Sequence, residues 1–208
     1  MAKKFDKIFI HCSDSEFGTA LMIQCWHVLK KWKTIGYHLC VTNGYPTNDW
    51  FKNKKKIPFL EASVEVGREI DSDKWFEPFE KGAGVYGFNE GSFHICMIGK
   101  KNFSNKVKNK TLEVVKFHVQ QFEFDSFDFV YGHGEKDPKK SYCPGIDMNE
   151  FRKHLKNNTY YGQKKIFDQV VVKETKRHEP GKKKITKTLV NKLILILGIF
   201  FKRVINNG

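Results

Sequence analysis

The stretch KIFIHCSDSEFGTALMIQCWHVLKKWKTIGYHLCV (residues 7–41) decides the fold. It opens on a short apolar run, Lys7–Ile10, that ends in His11 and reads as a first strand. From Phe17 to Trp32 the apolar residues Leu21, Cys25, Val28, Leu29 and Trp32 recur at the spacing of one helix face. Gly36 ends that helix, and Tyr37–Val41 reads as a second strand.

Outward from this unit the same alternation continues. Ser63–Glu69 reads as a short strand and Phe93–Ile98 (FHICMI) as a buried one. Thr111–Phe122 carries Leu112, Val115 and Val119 on one helical stripe, Phe127–Tyr131 reads as a strand running into Gly132-His133, and Met148–Leu155 reads as a helix. Alternating strands and helices predict an α/β domain with a central sheet. After about residue 172 the composition changes to a Lys-rich run around Pro180-Gly181. The expected organisation is therefore a domain over 1–172, a basic linker over 173–186 and a basic amphipathic C-terminal helix over 187–208.

Composition narrows the function. The formal charge is +14, but residues 173–208 hold ten Lys/Arg against two Glu, so the body is only mildly basic. That clustering argues against a nucleic-acid clamp, and no nucleic-acid partner is expected. The five cysteines (12, 25, 40, 96 and 143) form no CxxC pair and are odd in number, which argues against a disulfide framework. The start, MAKKFDKIFIHCSDS, has no apolar core of a signal peptide, so the chain is expected in the cytoplasm of the producing cell. The uncharged run Leu193–Phe201 falls far short of the roughly 20 residues that span a bilayer. With its basic flanks it fits a helix lying on an anionic membrane surface or one docked on the domain.

A catalytic zinc site needs three protein ligands and one open position. His11 and His133 each close a strand, and Cys143 follows ten residues after His133, just before the Pro144-Gly145 turn. Two imidazoles and a thiolate make a zinc-type set. Taken alone the trio is a weak signal, because eight histidines and five cysteines offer many others.

Several ordered blocks sharpen it. KIFIHCSDS (7–15), Trp26-His27 with Trp32 and Ile35-Gly36-Tyr37-His38, SVEVGR (63–68), GAGVYGFNEGSFHICMIG (82–99) and YGHGEKDPKKSYCPG (131–145) together resemble the zinc-dependent N-acetylmuramoyl-L-alanine amidases of phage endolysins. That family shares its fold with the peptidoglycan recognition proteins. The resemblance covers roughly residues 5–157. It implies a central mixed β-sheet flanked by helices and zinc on His11, His133 and Cys143. It also implies that Tyr37 and a lysine near the cysteine assist hydrolysis of the amide between N-acetylmuramic acid and L-alanine. The protein would act on peptidoglycan as a monomeric, phage-type endolysin; a non-catalytic peptidoglycan-binding module of the same fold is the alternative.

Three departures bear on this. The His133–Cys143 interval is longer than the family's, and Ser141 stands where the family often has its lysine, so the role passes to Lys140 or Lys139. The stretch between Asn43 and Gly82 is expanded, as a groove wall or a surface excursion. Strand alternation sends the side chains of Tyr37 and His38 opposite ways, which favours Tyr37 for the site. His27 either packs structurally or lines the substrate groove, and Asn89 either braces its glycine-rich loop or binds a stem-peptide amide. His94 reads as core-facing or satisfied, and His118, His154 and His178 as solvated. Cys25, Cys40 and Cys96 read as small buried hydrophobes.

Overall fold

The structure is a computed structural model and describes residues 3–71 and 73–163. The linker expected at 173–186, the helix expected at 187–208 and His178 lie outside the described residues.

In chain order the elements are β1 (Lys3–Lys4), β2 (Lys7–Cys12), α1 (Ala20–Leu29), β3 (Leu39–Asn43), α2 (Asn48–Lys52), β4 (Glu61–Val66), β5 (Trp75–Phe76), β6 (Ser92–Met97), α3 (Asn105–Gln121), β7 (Val130–Gly132) and α4 (Met148–Lys156). Five strands form one sheet in the order β4-β3-β6-β2-β7. β3 and β4 are antiparallel; the other three pairs are parallel. This is the expected mixed sheet flanked by helices. β1 and β5 form a separate antiparallel ribbon.

Why the middle strands look as they do follows from their position. β2 and β6 are flanked on both sides and covered on both faces, so KIFIHC and SFHICM are buried almost throughout. Period-two alternation then divides their side chains. Ile8, Ile10, Phe93, Ile95 and Met97 pack with Leu112, Val115 and Phe122 of the α3 segment and with Phe151 and Leu155 of α4. Each fully buried large apolar side chain contributes about 1.5–3 kcal/mol here. On the opposite face, Cys40 and Cys96 pack with Ala20 and Ile23 of α1 and with Ile35. Phe9, His11 and His94 belong to this second face by parity, and the functional candidates lie there.

Several expectations need correction. α1 is shorter than Phe17–Trp32; Thr19 caps it, its hydroxyl accepting from the Met22 N–H. Its buried residues are Ala20, Ile23 and His27, while Leu21 is 69% and Leu29 82% exposed. The segment ALMIQCWHVL is apolar nearly all round, so helical spacing alone could not choose between its two faces. The same rotation leaves Cys25 exposed instead of buried. α3 begins at Asn105, earlier than Thr111, with Ser104 as its cap. His118 lies on the buried stripe three residues after Val115 and stacks on Phe93 with ring centroids 4.3 Å apart, so it is not a solvated residue. His154 is half-buried, its Nδ1 2.8 Å from the Thr159 hydroxyl. Residues 127–129 form a 3-10 turn, and only Val130–Gly132 joins the sheet. The expanded region after Asn43 holds α2, β4 and β5.

Candidate metal centre

Strand register brings the two histidines together. β2 and β7 run parallel with Phe9 opposite Tyr131 and Ile10 opposite Gly132, so His11 and His133 come next on each chain, side by side. Their Nδ1 atoms stand 3.2 Å apart and their ring centroids 4.9 Å apart. Cys143 reaches the same point from the loop beyond. Its C=O accepts from the Gly134 N–H and its N–H donates to the Lys140 C=O, each at 2.8 Å, which pins the backbone on both sides of the sulfur. The donor atoms of His11, His133 and Cys143 all lie within 4.8 Å of one another.

This donor set fits a zinc-type ion. Two nitrogens bound at 2.0–2.1 Å to one tetrahedral ion stand roughly 3.3 Å apart, close to the Nδ1 separation here. The protonation states fit as well. Burial holds His11 well below its ordinary value, with the neighbouring His133 and His38 adding to the effect. Burial lowers His133 too, although Asp137 opposes it. Both rings are thus neutral near pH 7, as ligands must be. The hydrogen bond between the Cys12 and Cys143 side chains, together with burial, holds the Cys143 thiol above its ordinary value. A cation held there would supply the counter-charge that favours the thiolate.

The other sequence-predicted residues fall around this centre unequally. The ring centroid of Tyr37 lies 4.9 Å from that of His11. Burial pushes its hydroxyl well above the ordinary value, so Tyr37 keeps its proton and can donate a hydrogen bond. The segment before it is clamped: the Arg68 guanidinium donates to the Ile35 C=O at 2.9 and 3.2 Å, and the Arg68 N–H donates to the Tyr37 C=O at 2.8 Å. His27 is buried; its Nδ1 accepts from the Gly36 N–H at 3.0 Å and its ring packs 4.4 Å from Trp32 and 5.5 Å from Tyr37. It buttresses Tyr37 from behind. Asn89 accepts the Val85 N–H at 2.8 Å and so braces the loop over 82–91.

Lys140 is exposed, and its ammonium lies 3.3 Å from the Tyr142 hydroxyl, which in turn donates to Asp14 at 3.3 Å. That hydrogen bond holds the Lys140 ammonium above its ordinary value, with Asp14 adding charge. Its charge also acts on both His133 and Cys143. The backbone of Lys139 is occupied in the turn, where its N–H donates to Asp137 at 3.0 Å.

Three supporting groups escaped the sequence reading. The Cys12 N–H donates to the Cys143 sulfur at 3.3 Å. The Asp137 carboxylate lies 3.5 Å from His133 Nε2. His94 Nδ1 lies 3.0 Å from His11 Nε2, and its own Nε2 is buried with no partner among the described residues. The last of these had a signal, because parallel pairing of KIFIHC with SFHICM puts His94 opposite Phe9, on His11's face.

A scan against protein-family models and a search of curated proteins return no match. Solved structures do. The fold is similar to that of the N-acetylmuramoyl-L-alanine amidase LysC from Clostridium intestinale URNW, at 16% identity and a TM-score of 0.53, over 76% of this chain and 87% of that one. The endolysin and N-acetylmuramoyl-L-alanine amidase LysCS from the same organism gives 16% identity and 0.53, over 76% and 86%. Drosophila PGRP-LB gives 17% identity and 0.48, over 81% and 87%. At 16% identity the similarity to LysC and LysCS establishes the fold alone.

Proposed function

We propose that this chain is a zinc-dependent N-acetylmuramoyl-L-alanine amidase of the endolysin type, which hydrolyses the amide joining N-acetylmuramic acid to the L-alanine of the stem peptide. The observation that carries the proposal is the convergence of His11, His133 and Cys143 within 4.8 Å at the end of a parallel strand pair. The fold shared with LysC and LysCS supports it, since both are named as amidases of this bond.

Each residue has a part. His11, His133 and Cys143 would hold the zinc, which when bound supplies a low-pKa water and polarises the scissile carbonyl. Neutral imidazoles bring lone pairs without a proton to displace. Tyr37, which retains its proton, donates a hydrogen bond towards the reacting oxygen and orients it. Lys140 places a positive charge near the side of the centre formed by His133 and Cys143, where it offsets negative charge developing on the carbonyl oxygen. His27 acts on Tyr37 rather than on substrate, and Asn89 acts on the loop over the centre.

Zinc content and hydrolysis of purified cell wall, measured for the wild type beside Cys143→Ser, test the reading. The wild type should hold one zinc per chain and cut; the variant should lose both. Zinc without cutting in the wild type would instead mark a peptidoglycan-binding module, and no zinc would end the proposal.

A further inference from the structure

His94 has an environment that core packing alone does not require. It lies in the middle of β6, fully buried, in a row of rings set by strand order. On one side is Phe9 of β2, its register partner, with centroids 5.6 Å apart and planes 13° apart. On the other is His38, also at 5.6 Å and with planes 4° apart. These neighbours fix the plane of the His94 ring. The glycine-rich loop fixes the rest. A Cβ at Gly82 would stand 2.3 Å from His94 Cδ2, and one at Gly84 would stand 2.5 Å from His94 Nδ1 and 2.8 Å from His11 Nε2. The loop therefore passes directly over the contact between the two imidazoles, and only glycine lets it come so near.

The contact has a definite chemical sense. His11 presents Nδ1 to His133 and Nε2 to His94. If Nδ1 is to offer a lone pair to a metal, the single proton of the neutral ring must sit on Nε2. That proton then needs an acceptor, and His94 Nδ1 is the atom placed to accept it. The His94 proton consequently sits on Nε2, which has no partner among the described residues. A buried donor left unpaired is destabilising. An apolar side chain would fill the same slot without that cost, so the histidine is there for its acceptor.

We propose that His94 is a positioning residue that fixes the tautomer and orientation of His11, keeping His11 Nδ1 free for the metal. The inference rests on the zinc reading above. It assigns the role that a carboxylate or carbonyl commonly plays behind a ligating histidine to a second, neutral imidazole. Asp137 stands behind His133 in the corresponding place.

Two measurements test it. In the full-length protein without metal, nitrogen-15 NMR of the histidine rings should find the proton of His11 on Nε2 and that of His94 on Nε2. A His11 ring protonated on Nδ1 would overturn the proposal, and this result does not depend on whether zinc binds or wall is cut. Zinc affinity by chelator competition should fall 10–100-fold in His94→Phe, which keeps the ring row but removes the acceptor, and should recover in part in His94→Gln, whose carbonyl restores it. Equal affinity of a folded His94→Phe and the wild type would also overturn it. Failure of the wild type to bind zinc at all would count against the proposed function and leave the tautomer result standing.

Discussion

His11 and His133 present their Nδ1 atoms to each other at 3.2 Å, at adjacent positions of two parallel strands. In the metal-free chain the two nitrogens share one hydrogen bond or turn lone pairs towards each other, according to tautomer. Binding an ion replaces this contact, so metal should stabilise the fold strongly. At free zinc about 1,000 times the dissociation constant, linkage gives about 4 kcal/mol. For a domain of this size that corresponds to a rise in Tm on the order of 10 °C. Thermal melts with and without a chelator check it, and an unchanged Tm contradicts it.

Tyr37→Phe and Lys140→Ala should each lower kcat about 10²–10³-fold while zinc content stays at the wild-type level. Lys139→Ala should change little, because its charge does not act on the donor set as that of Lys140 does. If Lys139→Ala is the damaging one, the two lysines have been assigned the wrong way round.

Gly84→Ala should weaken zinc binding, since its Cβ must displace His94, His11 or the loop. The expected loss of stability is about 1–3 kcal/mol. Gly87→Ala is the control: its Cβ would meet nothing within 4 Å, although its φ of +79° carries a backbone cost. Comparable loss of zinc affinity in both variants would show that loop strain, not the clash, is responsible.

Stability should fall on acidification. Burial holds His38 down at about 4, against an ordinary value of 6.5. Its ring is engaged as the neutral form: Nε2 donates to the Glu80 C=O at 2.7 Å, and Nδ1 accepts from the His94 N–H at 2.8 Å. Between these two values the unfolded chain binds the proton and the folded one does not. The contribution of His38 is therefore complete above about pH 6.5 and is lost as pH falls towards 4, amounting to on the order of 3 kcal/mol. Urea melts across that range should show the slope, and His38→Gln should flatten part of it. A profile identical in the two proteins would contradict the assignment.

Removing residues 180–208 should abolish binding to anionic vesicles and leave hydrolysis of purified wall intact, if the basic apolar pattern over 187–205 is a membrane-surface segment. Retained vesicle binding by the truncated chain would reject that role.

Much of this was legible in the residues because strand parity is a strict rule. KIFIH and VYGH each end on a histidine, and parallel register does the remainder. Cys143 was found through its place before Pro144-Gly145 and the family blocks rather than through any periodicity. What the sequence hid has physical reasons. The segment ALMIQCWHVL offers two apolar faces, and burial against the sheet, which is a tertiary choice, picked Ala20, Ile23 and His27. His118 looked polar by type, but its position on the α3 stripe decides its burial. His94 looked satisfied because a single strand does not reveal which neighbour its imidazole will meet.

The sheet order has one more consequence. Among the described residues β7 is an edge strand of three residues paired only with β2, and the sheet ladder ends before His133. His11 is therefore locked by the ladder, while Cys143 is held by the hydrogen bonds of its own turn to Gly134 and Lys140. A change in the residues between Gly134 and Lys140 would reach Asp137 behind His133 and the approach of Cys143, while leaving His11 in its ladder.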